Sequence, residues 1–290
     1  MLTRAKAPGT CGELVQGAIA GRDFLVNCPV NLFSHATVCA SSTPGLQVSA
    51  PNHFRKIAEA IGLMSRRYGV DLQHEVRVES DIPRSKGMAS STADICAALA
   101  ALCRSCSFTL SNEAFARLIA SVEPSDCVHF PGIAHVNHLT GEHIESMPAP
   151  SDLRVLVVDC GGAVETLEFD RERARSVYRQ NEATIARALA LLKKGLREAD
   201  ARAIAQAATE SARLSQQILF KPQFRDLLRT TREAHALGVN CAHSGTVLGV
   251  LYRSADDLKD DLVAVVERTF GNDVEIIGDF GIIGGGCSEL

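Results

Sequence analysis

The sequence of 290 residues is poor in aromatic side chains, with no tryptophan, three tyrosines and an aromatic content of 5%. This scarcity argues against a surface that stacks on single-stranded nucleic acid or on carbohydrate rings. Excess positive charge is also lacking, because 30 Lys and Arg residues face 34 Asp and Glu residues and leave a formal net charge of −4. No overall field attracts nucleic acid or an anionic membrane, so we expect neither as a partner.

Long apolar runs are missing as well. No window approaches the roughly 18 uncharged apolar residues of a membrane-spanning helix, and the first residues lack the apolar core of a signal peptide. A hydrophobic content of 46% is nevertheless sufficient for a large buried core. These observations predict a cytoplasmic protein that acts on small molecules, as a monomer or a homodimer.

Cysteine is present but sparse, with ten residues in 290, far below the density of a disulfide-stapled scaffold. The C-x-x-C pair Cys103 and Cys106 has no second pair that could complete a four-ligand zinc site, so we expect reduced thiols that behave as small hydrophobic residues. A histidine cluster also lacks tight ligand spacing, and we predict no metal site there. Its members are His129, His135, His138 and His143.

Residues 1–150 and residues 151–290 differ in texture and predict two domains. The first region mixes glycine, proline and serine with short strand-like runs. Apolar residues recur at helical spacing over residues 53–68, and residues 90–106 form an alanine-rich apolar stretch typical of a buried helix. The first region therefore combines strands with at least these helices, an α+β pattern.

The second region opens with a buried strand over residues 153–160 and continues through a long stretch of helical periodicity. A strand over residues 246–252, a helix over residues 256–270 and another strand complete the α+β pattern. Arginines between Arg171 and Arg232 alternate with acidic residues, which predicts a solvated surface. The glycine-rich residues 281–286 predict a loose tail or a closing turn.

The most informative segment connects a strand to a helix and runs from Asp81 to Asp94. Pro83 predicts an extended turn, Gly87 permits a positive φ, and Ser90-Ser91-Thr92 stand where the helix begins. Unpaired N–H groups at a helix start favour phosphate, and neighbouring hydroxyls can ligate Mg²⁺. Serine and threonine also cap helices that bind nothing, so a structural role stays open. The P-loop and Rossmann motifs lack their key residues here.

This segment resembles the phosphate loop of the GHMP kinases, P-x-x-x-G-L-G-S-S-A-A, with Met88 in place of Leu, Ala89 in place of Gly and Thr92 in place of Ala. Three other pieces occur in the family's order. They are a substrate segment Ala7–Gly17, a catalytic-aspartate piece Glu123–Asp126 and a glycine motif Ala242–Gly249. The resemblance implies a two-domain α+β fold, with a domain like ribosomal protein S5 domain 2 in residues 1–150 and a ferredoxin-like domain in residues 151–290.

The resemblance implies ATP and Mg²⁺ as cofactors. The residues it assigns to ATP are Pro83, Arg84, Ser85, Lys86, Gly87, Met88, Ala89, Ser90, Ser91 and Thr92. Lys86 is also expected to assist catalysis by neutralising phosphate charge, and Ser91 to provide a hydroxyl ligand for Mg²⁺. Glu123 is a second candidate metal ligand, because family members place a metal-binding glutamate before the catalytic aspartate.

Asp126 is the catalytic residue that the resemblance implies, expected to orient the acceptor hydroxyl and take its proton. From the residues alone, an exposed turn aspartate after Pro124 is an equal alternative. The residues assigned to the substrate are Thr10, Gly12, Glu13, Gly245 and Thr246. Glu13 lies in an apolar segment, where a carboxylate usually needs a cationic partner. That partner is a substrate ammonium group or a structural salt bridge to Arg4 or Lys6. Simple exposure of the side chain is a further alternative.

Within the family, the N-terminal segment, the Glu-Pro-Ser-Asp piece and Asp159–Gly162 resemble the L-threonine kinases of cobalamin synthesis. That branch implies transfer of the γ-phosphoryl group of ATP to the side-chain hydroxyl of L-threonine. Homoserine or another small alcohol is the nearest alternative acceptor. A catalytically inactive nucleotide-binding regulator is an alternative of another class, but the presence of Lys86, Ser91 and Asp126 favours an enzyme.

Overall fold

The structure is a computed structural model that describes residues 2–43, 45–70, 73–162 and 170–289. Its helices are α1 (Phe54–Tyr68), α2 (Ser90–Ser105), α3 (Asn112–Ala120), α4 (Arg171–Gln180), α5 (Glu182–Glu198), α6 (Ala201–Ser215), α7 (Phe224–Glu233) and α8 (Lys259–Phe270). Its strands are β1 (Leu2–Ile19), β2 (Arg22–Ala40), β3 (Gln47–Ser49), β4 (His74–Ser80), β5 (Ile133–Asn137), β6 (Glu142–Met147), β7 (Leu153–Asp159), β8 (Gly238–Cys241), β9 (Val247–Arg253), β10 (Glu275–Gly281) and β11 (Ser288–Glu289). None of the described helices has the length and apolarity needed to cross a membrane.

The N-terminal half is built on a long antiparallel hairpin of β1 and β2. The two connecting residues, Ala20 and Gly21, have φ of 50° and 72°, as in the turns that match the twist of paired strands. Register shifts interrupt the pairing between Pro8 and Val15. Because bulges bend a strand and re-aim its side chains, this part of β1 can depart from the sheet toward the loop that precedes α2.

Four of the strands described in the C-terminal half lie in the order β10-β7-β9-β8, with every neighbour antiparallel. Helices α4 to α7 lie between β7 and β8 in the chain, and α8 lies between β9 and β10. This is the β-α-β-β-α-β pattern of a ferredoxin-like domain, as expected. Glu13 pairs with Cys241, which joins β1 to β8 and makes the sheet continuous across both halves.

The core of the N-terminal half lies between the sheet and α2, which packs on β1 and β2. Nearly all of α2 from Thr92 to Cys103 is buried, and the predicted helices over residues 53–68 and 90–106 match α1 and α2. The Cys103 thiol contacts the Met64 sulfur at 3.7 Å. None of the ten cysteines forms a disulfide, and Cys103 serves as an apolar core residue.

The clustered histidines pack largely against aromatic rings. His129 and His143 both lie on Phe130, with ring centroids 4.3 and 4.4 Å apart. His135 meets the Phe24 ring edge to face at 5.0 Å. Ring packing therefore accounts for these three positions.

The glycine-rich residues 281–286 are held against the N-terminal half, so the expectation of a loose tail is wrong. A Cβ atom at Gly285 would lie 2.5 Å from the Phe130 carbonyl oxygen, and only glycine permits this approach. The segment thereby contacts residues 128–132, which begin two residues after Asp126. The bonds are Ile283 N to Pro29 O (2.9 Å), Gly285 N to Gly132 O (2.8 Å) and Gly286 N to Val128 O (2.7 Å).

Candidate active site

One cavity between the two halves gathers most of the predicted site residues. Its N-terminal wall includes Glu13, Ser85, Gly87 to Thr92, and Glu123 to Asp126. The C-terminal half adds Ser244 and one face of α4. A ligand in this cavity would contact both halves, as is common for sites at domain interfaces.

The start of α2 lines part of the cavity. Its N-cap residue Ala89 has φ of 57° and provides no side-chain cap. Ser85 and Gly87 also have positive φ, 55° and 80°, and non-glycine residues held in this region cluster at ligand clamps. The first N–H groups of α2 are therefore free of a side-chain cap and, with the helix dipole, suit a phosphate group.

Four of the five residues assigned to the substrate hold the phosphate loop from behind, and none of the four lines the cavity. Gly245 packs so closely that a Cβ atom there would lie 2.5 Å from the Gly87 nitrogen. The others act through backbone N–H groups, which fix the loop between β1 and the β8–β9 connection. These bonds are Thr10 N to Met88 O (3.0 Å), Gly12 N to Gly87 O (3.2 Å) and Thr246 N to Lys86 O (3.0 Å).

Lys86 points away from the cavity in this structure. Its Nζ lies 2.5 Å from Oδ2 of Asp159 and donates to the Gly162 carbonyl at 2.8 Å. The other Asp159 oxygen accepts from the Thr246 hydroxyl at 2.5 Å. Lys86 thus links the phosphate loop to the C-terminal half. Neither Lys86 nor Arg84 belongs to the cavity wall. Pro83 also lies outside the wall.

The two predicted metal ligands lie side by side. The Ser91 hydroxyl donates to Oε1 of Glu123, while Oε2 of Glu123 pairs with Nζ of Lys56 at 2.7 Å. A carboxylate and a hydroxyl at a phosphate site are the hard oxygen donors that Mg²⁺ prefers, so these residues fit the ion. The motif did not reveal Lys56, a lysine that does line the cavity.

Asp126 lies at the cavity wall and is held by the buried Asn27. Asn27 Nδ2 donates to the Asp126 carbonyl at 3.0 Å, and its Oδ1 accepts from the Ala134 N–H at 2.9 Å. Burial raises the pKa of the Asp126 carboxyl to about 8, with further contributions from the charges of Glu13 and Glu123. A half-buried carboxyl with a raised pKa in a cleft is typical of a proton acceptor.

The cationic partner of Glu13 is His243, and neither Arg4 nor Lys6 pairs with it. Oε2 of Glu13 accepts from the His243 backbone N–H and from its Nδ1, both at 2.9 Å. Both side chains are buried. Glu13 also lines the cavity, so this residue borders the site while its carboxylate is anchored from the C-terminal half.

Outside the predicted phosphate loop, the cavity wall carries charges of both signs. Asp23 lines it from the start of β2, and α4 contributes Arg171, Arg175 and Tyr178. The sequence pattern predicts a solvated surface for these arginines; Arg175 is exposed, and α4 also places both arginines on the cavity wall.

Comparison with known proteins identifies the family of this chain. The family model described as GHMP kinases N terminal domain matches residues 52–131, and the model described as GHMP kinases C terminal matches residues 192–270. The L-threonine kinase of Salmonella typhimurium (strain LT2) is 33% identical over 249 residues, which cover 85% of this chain and 82% of that protein. The chain is a GHMP kinase.

Solved structures of GHMP-type fold superpose on this kinase over its full length. Homoserine kinase from Cytophaga hutchinsonii gives a TM-score of 0.77 at 16% identity, with 100% of this chain and 97% of that chain covered. The protein MDDEF in complex with MVAPP, AMPPCP and magnesium gives 0.71 at 14% identity, with 100% and 99% covered. At these identities the likeness establishes the two-domain fold.

As a GHMP kinase, the protein is an ATP-dependent small-molecule kinase. Of the residues predicted from the motifs, Ser91, Glu123, Asp126 and Glu13 line the cavity, as do seven of the ten residues assigned to ATP. The motifs did not locate residues that other elements bring in. One usable signal was present, since positions 171, 174, 175 and 178 have the i, i+3, i+4, i+7 spacing of a single helix face. The missed residues are Asp23, Asn27, Lys56, Arg171, Arg175 and His243.

Proposed function

We propose that this GHMP kinase transfers the γ-phosphoryl group of ATP to the side-chain hydroxyl of L-threonine, giving O-phospho-L-threonine for cobalamin synthesis. The likeness to the Salmonella typhimurium L-threonine kinase supports this acceptor. The chemistry of the cavity supports it independently, and the observation that carries most weight is the pair of opposite charges at the acceptor end.

L-Threonine has a carboxylate and an ammonium group on its α-carbon, and a hydroxyl and a methyl group on its β-carbon. Arg171 and Arg175 suit the carboxylate, because guanidinium groups bind carboxylates through charge-assisted hydrogen bonds. Asp23 and Glu13 suit the ammonium group. Within the described residues, Asp23, Arg171 and Arg175 have no ion-pair partner, so their charges remain available to a zwitterion.

The opposite end suits Mg·ATP. The start of α2 offers N–H groups to phosphate oxygens, and Ser91 and Glu123 would hold Mg²⁺. The ion would neutralise charge on the phosphates during transfer. Because the chain carries a net charge of −4, the attraction for ATP must be local, and Lys56 adds a positive charge at this wall.

Asp126 lies between these two ends and suits the proton transfer. In the proposed reaction the acceptor oxygen bonds to the γ-phosphorus, the bond from that phosphorus to the bridging oxygen breaks, and ADP leaves. The proton of the acceptor hydroxyl passes to the Asp126 carboxylate. Asn27 fixes the backbone at Asp126, which keeps the carboxylate in place for this step.

An acceptor series tests the proposal. We expect L-threonine to exceed both L-threoninol, which lacks the carboxylate, and 2,3-dihydroxybutyrate, which lacks the ammonium group, by at least about tenfold in kcat/KM. Each analogue loses hydrogen bonds to a charged group, which contribute about 1.5–3 kcal/mol each.

Three outcomes would contradict the proposal. Preference for L-homoserine would reassign the acceptor within the family. A kcat/KM for both analogues equal to that for L-threonine would remove the amino-acid recognition argued from α4 and β2. ATP binding without turnover of any hydroxylated compound would favour a regulatory protein.

A further inference from the structure

His243 and Glu13 connect two elements that lie 230 residues apart in sequence. Glu13 is on the bulged part of β1, and His243 follows β8. The His243 backbone N–H and Nδ1 both reach the same carboxylate oxygen, Oε2, at 2.9 Å. Oε1 takes part in neither bond. Glu13 is therefore oriented by a two-point contact from one residue.

The surroundings of His243 favour its protonated form. The side chain is almost fully buried, with 1% of the residue exposed, and Nε2 lies 3.1 Å from the Ser211 hydroxyl. Burial alone would lower the pKa of His243, but the neighbouring Cys241 and Glu13 raise it to about 10. A buried carboxylate held by a buried imidazolium is a fixed ion pair, and removal of either partner leaves an uncompensated charge.

The loop that carries His243 contacts both the cavity and the phosphate loop. Ser244 lines the cavity, and Gly245 packs on Gly87 of the phosphate loop. On the other side, Glu13 is opposite Asn27 in the β1–β2 register, and Asn27 holds the carbonyl of Asp126. The ion pair thus joins the loop that packs on Gly87 to the part of β1 that lies opposite Asn27, the residue that holds Asp126.

We propose that His243 is a positioning residue for the acceptor amino acid, fixing the Glu13 carboxylate at the cavity wall so that Glu13 receives the acceptor's ammonium group. This inference rests on the proposed function, because it requires an acceptor with an ammonium group. A merely structural histidine would affect stability or both substrates, whereas this role predicts an effect concentrated on the amino acid.

A double-mutant cycle separates these roles. We expect His243→Gln and Glu13→Gln each to raise KM for L-threonine about tenfold or more, with KM for ATP within about twofold of wild type. The double variant should be no worse than Glu13→Gln alone, since coupled residues give non-additive effects. His243→Asn, which keeps a donor near the position of Nδ1, should recover part of the loss.

The matched control is His135→Gln. His135 is also a buried histidine beside a glutamate, with Nδ1 3.6 Å from Glu145, but neither residue lines the cavity. The control should leave KM for L-threonine unchanged. Multiplicative effects of His243→Gln and Glu13→Gln on KM for L-threonine, or equal effects on KM for L-threonine and KM for ATP, would overturn the inference.

A second measurement does not depend on a variant at position 243. Imidazole ¹⁵N NMR of the wild type should show a histidine protonated on both nitrogens at pH 7.5, and the pKa of that ring should be lower in Glu13→Gln, because Glu13 is one of the groups that raise it. Absence of such a signal would overturn the inference even if the histidine variants fail to fold. Failure of the proposed function would look different, because the wild type itself would then not phosphorylate L-threonine.

Discussion

At the scale of single residues, Asp126 combines a place at the cavity wall with a pKa raised to about 8 by burial and by the charges of Glu13 and Glu123. Asp126→Asn keeps the shape but removes the proton acceptor. We expect kcat to fall by about 10²–10⁴-fold, the usual contribution of a general base. ATP affinity, measured by calorimetry, should stay within about tenfold, because the loss acts on the transition state. An unchanged kcat would remove Asp126 from the mechanism.

The same residue predicts a pH-dependent stability. In the unfolded chain the carboxyl ionises near its ordinary pKa of 3.8, whereas in the folded protein it keeps its proton to about pH 8. The unfolded state thus binds fewer protons between these values, and this group makes folding less favourable as pH rises. Asp126→Asn should therefore melt above the wild type at pH 9 and approach it toward pH 5.

Thermal unfolding at several pH values measures this effect. A gain of more than about 2–4 °C at pH 9 corresponds to roughly 1 kcal/mol in a domain of 150–250 residues. Asp260→Asn, on the exposed first turn of α8, is the matched control and should show no such pH-dependent gain. A constant difference between Asp126→Asn and wild type at all pH values would contradict the raised pKa.

Motif spacing could locate Ser91, Glu123 and Asp126 because these residues lie within or beside the phosphate-loop and aspartate motifs. It could not locate Lys56 or His243, since each reaches the cavity only after distant elements pack together. Glu13 shows the limit clearly. Its burial in apolar surroundings indicated a cationic partner, but the partner lies far along the chain, where no local pattern points to it.

At the scale of elements, the phosphate loop is shaped by glycine contacts from the β8–β9 connection. A Cβ atom at Gly245 would lie 2.5 Å from the Gly87 nitrogen and nearer still to the Gly87 Cα and the Lys86 carbonyl oxygen. Gly245→Ala must therefore displace the loop. We expect KM for ATP to rise about tenfold or more and the melting temperature to fall.

Gly62→Ala provides the control for this prediction. Gly62 lies in α1, and a Cβ atom there would meet only the flexible end of Arg66 at 3.3 Å. This variant should keep the wild-type KM for ATP and gain up to about 1 kcal/mol in stability from helix propensity. If Gly245→Ala matched Gly62→Ala in KM, the glycine contact would not shape the loop.

The elements themselves were predictable to different degrees. Helices α1 and α2 and strand β7 follow from apolar periodicity and composition. The first region predicted only short strand-like runs, whereas β2 is one strand of 19 residues, because register shifts and polar residues interrupt the alternation. The glycine-rich residues 281–286 gave no local signal for their docking, which depends on carbonyl groups of residues 29, 128 and 132.

At the scale of the whole molecule, the two halves share a continuous sheet and enclose the cavity between them. The ferredoxin-like strand order was expected from the family resemblance, not from the sequence pattern alone, because strand neighbours are set by long-range packing. The net charge of −4 made ATP binding depend on local features. The structure provides them in the start of α2, in Lys56 and in the oxygen donors of Ser91 and Glu123.

The most direct test of the account is identification of the reaction product. The purified protein is incubated with ATP, Mg²⁺ and L-threonine, and the mixture is followed by ³¹P NMR with proton coupling. The account predicts one phosphate monoester, coupled to the β-proton of threonine and formed in equal amount to ADP. Formation of ADP without this ester, or no reaction while another alcohol is phosphorylated, would contradict it.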